Sequence, residues 1–171
     1  GKYIVEIVRK LPNTDISIEV IDGYKLIIST DNTEFNLNGI NPDEFPNLDL
    51  DETKEPIVIN NGLFKDIINQ TVFATSQSET RPLLTGINFK LSGNSFEILA
   101  TDSYRLAKKI ITLDKDVENK INIVIPGRNL VELTKLLTDD EKFVEMHVFS
   151  NNVLFKSKDM LFQSRLLNNS Y

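Results

Sequence analysis

The period of the apolar residues switches repeatedly between helical and alternating spacing, and that order restricts the fold more than any composition does. Ile4, Ile7, Val8 and Leu11 form a helical stripe over residues 2–11, and Pro12 ends it. Residues 16–20 and 24–29 alternate as strands joined through Asp22-Gly23, a hairpin signal, and residues 34–37 make a third short alternating run. Residues 41–50, with Pro42, Pro46 and several acids, read as an extended linker. A strand at 56–59 then leads into a helix capped by Asn60 or Asn61, running to about Ala74 with apolar positions 63, 64, 67, 68 and 72. Three strands follow at 85–90, 95–101 and 105–113, the first two joined by a turn at Gly93-Asn94. After a strand at 121–125, Pro126 opens a helix with apolar residues at 130, 131, 133, 136 and 137. Strands at 143–149, 153–157 and 160–166 close the pattern, with turns at Asn151-Asn152 and Lys158-Asp159. The order is β, α, three strands, stated twice, and the first fifty residues match the second half of it. Such a structural repeat, almost without sequence identity, is what stacked homologous domains leave.

Composition removes several function classes. The 171 residues hold no Cys, so disulfides and thiolate metal sites are excluded. No apolar run approaches the ~20 residues of a membrane span, and the amphipathic start is unlike a signal peptide. A reducing cytoplasm suits such a chain. Gly1 in place of Met leads one to expect an excised fragment or a processed product. Residues 1–50 carry 4 Lys/Arg against 9 Asp/Glu, and residues 51–171 carry 15 against 16. Such a balance disfavours a DNA binder that relies on counterion release. It leaves room for a protein that surrounds DNA without gripping it, because the local field matters more than the sum.

The loop between two strand-like runs, Ala100-Thr101-Asp102-Ser103-Tyr104-Arg105-Leu106-Ala107, sets an acid, hydroxyls, an aromatic and an arginine beside an apolar floor. Binding pockets are built that way. Asp102 with Arg105 also allows acid–base or phosphate chemistry, against the plainer reading of a turn hydrogen bond or ion pair. His147, the sole histidine, lies in a strand with neither a nucleophile elbow nor a ligand cluster in sequence, which points to a structural role. The glycines are isolated, so no phosphate loop is present.

The loop resembles a segment of the bacterial sliding-clamp family, the beta subunit of DNA polymerase III. Other segments agree in order: Glu34-Phe35-Asn36-Leu37-Asn38-Gly39 with Asp43-Glu44-Phe45-Pro46-Asn47-Leu48; Ser78-Glu79-Thr80-Arg81-Pro82-Leu83-Leu84-Thr85-Gly86; Val124-Ile125-Pro126-Gly127-Arg128; and Leu161-Phe162-Gln163-Ser164-Arg165-Leu166. The Thr-Arg-Pro-Leu-Leu-Thr-Gly and Thr-Asp-Ser-Tyr-Arg-Leu-Ala segments resemble the version in low-GC Gram-positive bacteria. The resemblance implies an α+β DNA-clamp fold, with antiparallel sheets outside and helices lining the inner face. Residues 1–50 would be the C-terminal half of a first domain plus linker, residues 51–171 a nearly complete second domain, and a third domain would be absent.

The function so implied is a processivity factor, a non-catalytic cytoplasmic subunit without cofactor or metal. It would encircle duplex DNA as a homodimer and tether the polymerase III alpha subunit, the clamp loader and other clamp-binding proteins. Carried over by motif, Leu84, Thr101, Ser103, Tyr104, Arg105 and Leu106 would form a peptide-docking pocket shared with the third domain. Tyr104 replaces the commoner His, and Leu84 and Leu106 read equally as core. Lys2, Arg9, Lys65, Asn69, Gln70, Arg81, Arg128 and Lys135 would face DNA, or form ordinary solvated helix and loop surface. Pro82 and Leu83 occupy a place where some members carry DNA-touching tyrosines. Leu11, Phe35 and Leu37 would lie at the dimer joint, or simply face the local core. Two other readings stay open: an unrelated peptide-binding module, and an enzyme using Asp102 and Arg105.

Overall fold

The computed structural model describes residues 1–53, 55–158 and 160–167. The chain divides into two compact units, Gly1–Asp49 and a second from Leu50 onward. In the first unit, α1 (Lys2–Lys10) stops where Leu11 turns to extended backbone, its N–H still reaching the carbonyls of Ile7 and Val8. Pro12 cannot continue the ladder. Arg9 and Lys10 sit in the last turn, where positive charge suits the helix dipole.

An antiparallel meander follows: β1 (Ser17–Ile21), β2 (Lys25–Thr30) and β3 (Thr33–Asn38), in that order across the sheet. The first hairpin is closed by Ile21 opposite Lys25, not by a two-residue Asp22-Gly23 turn. Gly23 and Tyr24 both take positive φ, so Tyr24 belongs to a three-residue loop and the strand starts one residue later than expected. Ile28, fully buried, faces Phe35, and Leu26 faces Leu37. These pairs share one face because strand side chains repeat every second residue. The linker is not wholly extended. Pro42–Glu44 forms a 3-10 turn, capped by the Asn41 side chain accepting the Asp43 N–H at 3.0 Å.

In the second unit, β4 (Ile57–Asn60) runs into α2 (Asn61–Thr71). The cap is Asn60, whose side-chain oxygen accepts the Leu63 N–H at 3.0 Å. Phe64, Ile67, Ile68 and Thr71 are buried at helical spacing. Thr71 turns its hydroxyl back onto the Ile67 carbonyl at 2.8 Å, and the chain tightens into a 3-10 turn, Val72–Ala74. A second 3-10 turn, Pro82–Thr85, precedes β5 (Gly86–Thr101) and β6 (Leu106–Pro126). Then come α3 (Gly127–Leu136), β7 (Phe143–Val148), β8 (Asn152–Ser157) and β9 (Met160–Arg165).

Two expectations fail here. The segments 85–90 and 95–101 are one strand, and 105–113 and 121–125 belong to one partner strand. Gly93, at φ +60°, is a bulge and not a hairpin turn. Between the pairs Leu91–Ile121 and Ser95–Thr112, four steps along β5 oppose nine along β6. The excess arcs out of β6 while pairing resumes on both sides. Of the expected Lys158-Asp159 turn, Lys158 has the positive φ that a tight turn needs and Ser157 pairs with Met160; Asp159 lies outside the described residues.

β4, β7, β8 and β9 form an antiparallel sheet in the order β4-β7-β8-β9, and β5 with β6 forms another. A hydrogen bond from the Leu167 N–H to the Val124 carbonyl at 2.8 Å ties the chain after β9 to β6. Both helices pack on these strands and on each other. One core results, with Phe64 against Phe155 at 5.7 Å and Phe89 against Phe96 at 5.8 Å, all four fully buried. Removing one such ring costs about 3–5 kcal/mol.

Candidate functional site

The tip of the long hairpin is built by its own residues. Thr101 and Leu106 are the last paired residues of β5 and β6. Between them the Thr101 hydroxyl donates to the Arg105 carbonyl at 2.7 Å and accepts the Ser103 N–H at 3.2 Å. One Asp102 carboxylate oxygen accepts the N–H groups of Tyr104 and Arg105, each at 3.0 Å. The other accepts the Arg105 Nε–H at 3.0 Å. Ser103, at φ +77°, makes the reversal. These backbone donors, then the guanidinium, hold the Asp102 carboxyl below its ordinary value of 3.8. Both oxygens are thus committed to the loop, which gives Asp102 a structural task and leaves Arg105 oriented beside it.

This scaffold pushes side chains outward. Tyr104 is 97% exposed and Leu106 61%. An apolar leucine and an aromatic ring displayed together on a self-bonded loop form a contact surface of the kind interfaces use as anchors. Leu84, half-buried, stands on the 3-10 turn Pro82–Thr85, and its carbonyl accepts the Ser76 N–H at 2.7 Å. The sequence reading missed Phe73. Its ring is 56% exposed, and the Arg105 guanidinium lies over it, 5.9 Å from the centroid. It was read as the tail of α2; the 3-10 tightening after Thr71 gives it a direction that helical periodicity does not supply.

The cationic and amide candidates divide into two sets. Lys2 pairs with Glu6 at 3.9 Å, Lys135 with Glu132 at 2.6 Å, and Lys65, largely covered, with Asp140. Gln70 accepts from the Lys109 ammonium at 3.1 Å. Arg9, Asn69, Arg81 and Arg128 have no side-chain partner among the described residues. Arg128 borders a cavity of about 460 Å³ together with Phe73, Gln77, Glu79 and Glu132. Exposed ion pairs are weak enough to be exchanged for a phosphate, so pairing does not remove Lys2 or Lys135 from the set. In the first unit, Leu11 caps α1, and Phe35 and Leu37 lie half-buried on β3, an edge strand of the meander.

His147 has a more specific environment than its sequence context conveyed. It is buried, and the Thr53 backbone N–H donates to its Nδ1 at 3.0 Å. That fixes the ring proton on Nε2, which faces a Glu145 carboxylate oxygen at 3.2 Å. Glu52 pairs with Lys156 at 2.6 Å; each holds the other charged, the carboxyl below 4.5 and the ammonium above 10.5. Donor atoms of Glu52, Glu145 and His147 lie within 4.8 Å of one another, close enough to suggest a metal. The ring argues otherwise: one nitrogen lone pair is taken by a backbone amide and the other nitrogen carries a proton. The cluster fastens residues 52 and 53 to β7 and β8.

Antiparallel sheets backed by two helices, with a rigid exposed loop at the end of the longest hairpin, define a clamp-fold domain. A family model described as the DNA polymerase III beta subunit, central domain, matches residues 58–171, and one described as its N-terminal domain matches residues 1–49. The beta sliding clamp of Bacillus subtilis (strain 168) is 45% identical over 171 residues, covering 100% of this chain and 45% of the relative. That of Staphylococcus aureus (strain Mu50) is 40% identical over 171 residues, with the same coverage. The crystal structure of the DNA polymerase sliding clamp from Bacillus subtilis superposes with a TM-score of 0.85 at 45% identity, covering 99% of this chain and 45% of that one. The DNA polymerase III beta chain of Streptococcus pneumoniae TIGR4 gives 0.83 at 33% identity, over 99% of this chain and 45% of that one. The chain belongs to the DNA polymerase III beta subunit family. It spans about 45% of the length of these curated relatives.

Proposed function

We propose that this chain is part of a sliding clamp, a processivity factor that encircles duplex DNA and tethers the replicative polymerase. The observation that carries this reading is the family match over both units, 1–49 and 58–171, together with the exposed loop at Asp102. On this reading residues 1–50 belong to a first clamp domain and residues 51–171 to the second, and a third domain completes each chain of a homodimeric ring. The role is tethering, without catalysis, metal or cofactor, in the cytoplasm. Leu84 and Leu106 form apolar walls for a docked peptide, Thr101, Ser103 and Arg105 offer polar contacts, and Tyr104 adds an aromatic edge. The polymerase III alpha subunit, the clamp loader and other clamp-binding proteins compete for that pocket. The helix faces with Lys2, Arg9, Lys65, Asn69, Gln70, Arg128 and Lys135, and the loop with Arg81, meet phosphates without reading bases. Leu11, Phe35 and Leu37 close the ring joint, where β3 offers an unpaired edge.

The test is topological. The full-length protein, loaded on nicked circular DNA, should remain through a high-salt wash and leave once the circle is cut. Retention on linear DNA at that salt, or loss from the uncut circle, would overturn the clamp reading.

A further inference from the structure

The Arg105 guanidinium is held on two sides by groups of unlike chemistry. Asp102 takes its Nε–H at 3.0 Å, and the Phe73 ring lies beneath it at 5.9 Å. Its two terminal nitrogens have no hydrogen-bond or ion-pair partner among the described residues. The arginine is 56% exposed along its side chain and Phe73 is 56% exposed, so neither is fixed by burial in the core. A free arginine must give up rotamer freedom when it meets a ligand, and that cost falls on affinity. One already held over an aromatic face and bonded at Nε has given up part of it. The segment carrying Phe73 is in turn fixed to the turn carrying Leu84, because the Ser76 N–H binds the Leu84 carbonyl at 2.7 Å.

We propose that Phe73 is a positioning residue of the docking site: its ring sets the plane of Arg105, so that the two terminal nitrogens point outward to donate to a carbonyl or carboxylate oxygen of the docked peptide. This rests on the docking reading above. Phe73 acts through Arg105 and does not itself form the pocket wall. The specificity it confers is for a peptide acceptor group at Arg105, where a planar two-nitrogen donor is matched by one oxygen or a pair of oxygens.

The experiment measures binding of a fluorescent clamp-binding peptide to the full-length protein in four forms: wild type, Phe73→Leu, Arg105→Ala, and the two substitutions together. Phe73→Tyr is a fifth form that restores the aromatic face. Phe73→Leu is expected to weaken binding about two- to fivefold, which corresponds to the ~0.5–1 kcal/mol of an exposed cation–π contact. It should have no further effect once Arg105 is Ala, and Phe73→Tyr should bind as wild type. The Arg105 Nε–H proton resonance of the unliganded protein should move in Phe73→Leu and not in Phe73→Tyr, since it reports the ring directly. Equal weakening by Phe73→Leu with and without Arg105 would make Phe73 a direct peptide contact and overturn the proposal while leaving the docking site standing. An Nε–H resonance unmoved by Phe73→Leu would overturn it as well. Failure of the wild type to bind the peptide at all would overturn the docking reading and this proposal with it.

Discussion

Leu106→Ala shortens the apolar end of the Asp102 loop, where the leucine keeps 61% of its surface in the open. Burying a leucine completely gives about 1.5–3 kcal/mol, so covering that open share with a docked side chain gives about 1–2 kcal/mol. The share already covered in the folded chain is smaller, and its loss costs folding only about 0.5–1 kcal/mol. The substitution should therefore weaken peptide binding by the full-length protein about 5- to 30-fold. The unfolding midpoint should hardly move. Fluorescence anisotropy of a labelled clamp-binding peptide gives the first quantity and urea denaturation the second. Phe155→Ala, at a fully buried ring, is the opposite control: it should lose about 3–5 kcal/mol of stability. Undiminished peptide binding by Leu106→Ala, or a stability loss larger than the binding loss, would refute the view that Leu106 serves contact more than core.

Three other perturbations test the scaffold. Gly86→Ala would place a Cβ 2.8 Å from the Ile125 carbonyl oxygen and 2.6 Å from a Val124 methyl, inside a paired strand, so the unfolding free energy should fall by about 1–3 kcal/mol and the denaturation midpoint with it; an unchanged midpoint would show that β5 and β6 can part there. His147→Phe removes the acceptor of the Thr53 N–H, and hydrogen exchange at that amide should accelerate; full protection in the variant would mean another group holds residues 52 and 53. Because Asp102 in the folded loop titrates below 3.8, its stabilisation of the loop is complete above that value and is lost as pH falls through the lower, folded one; a carboxyl titration followed by NMR with a midpoint at or above 3.8 would contradict the hydrogen bonds assigned to it.

Elements set by local chemistry were legible in the sequence. Pro12 ends α1 and Asn60 caps α2 because a missing N–H and a side-chain acceptor act within a few residues. The long hairpin was misread because Gly93-Asn94 has turn chemistry and only the partner strand shows that pairing continues past it. A subtler signal was there. The buried hydrophobic residues along β5 are Ile87, Phe89 and Leu91 before Gly93, and Phe96, Ile98 and Ala100 after it. A strand that keeps one face inward yet changes parity has an irregularity between the two stretches. On β6 the partly covered apolar residues packed against the core between the two ends, Ile111, Leu113, Val117, Ile121 and Ile123, keep one parity. The five extra residues of its arc, an odd number, are what reconcile the two strands.

The Asp102 loop and its surroundings differ in the same way. Its internal bonds join residues two to four apart, from Thr101 to Arg105, which is why eight consecutive residues conveyed its shape. Phe73 under Arg105, and Thr53 on His147 across 94 positions, depend on the finished fold and leave no local mark. This separation has a physical consequence. A loop that satisfies its own polar groups keeps its form when its exposed side chains are changed, so Tyr104 and Leu106 are free to vary with the ligand at little cost to folding. Arg105 is not free in the same sense, since its side chain closes the bond to Asp102 and rests on a ring from another element. Substituting it changes the surface offered to a partner and the seat of the loop together. Within this loop, variation is cheapest at Tyr104 and Leu106 and most constrained at Asp102 and Arg105, where one hydrogen-bonded pair serves the turn and, on the proposed reading, the contact as well.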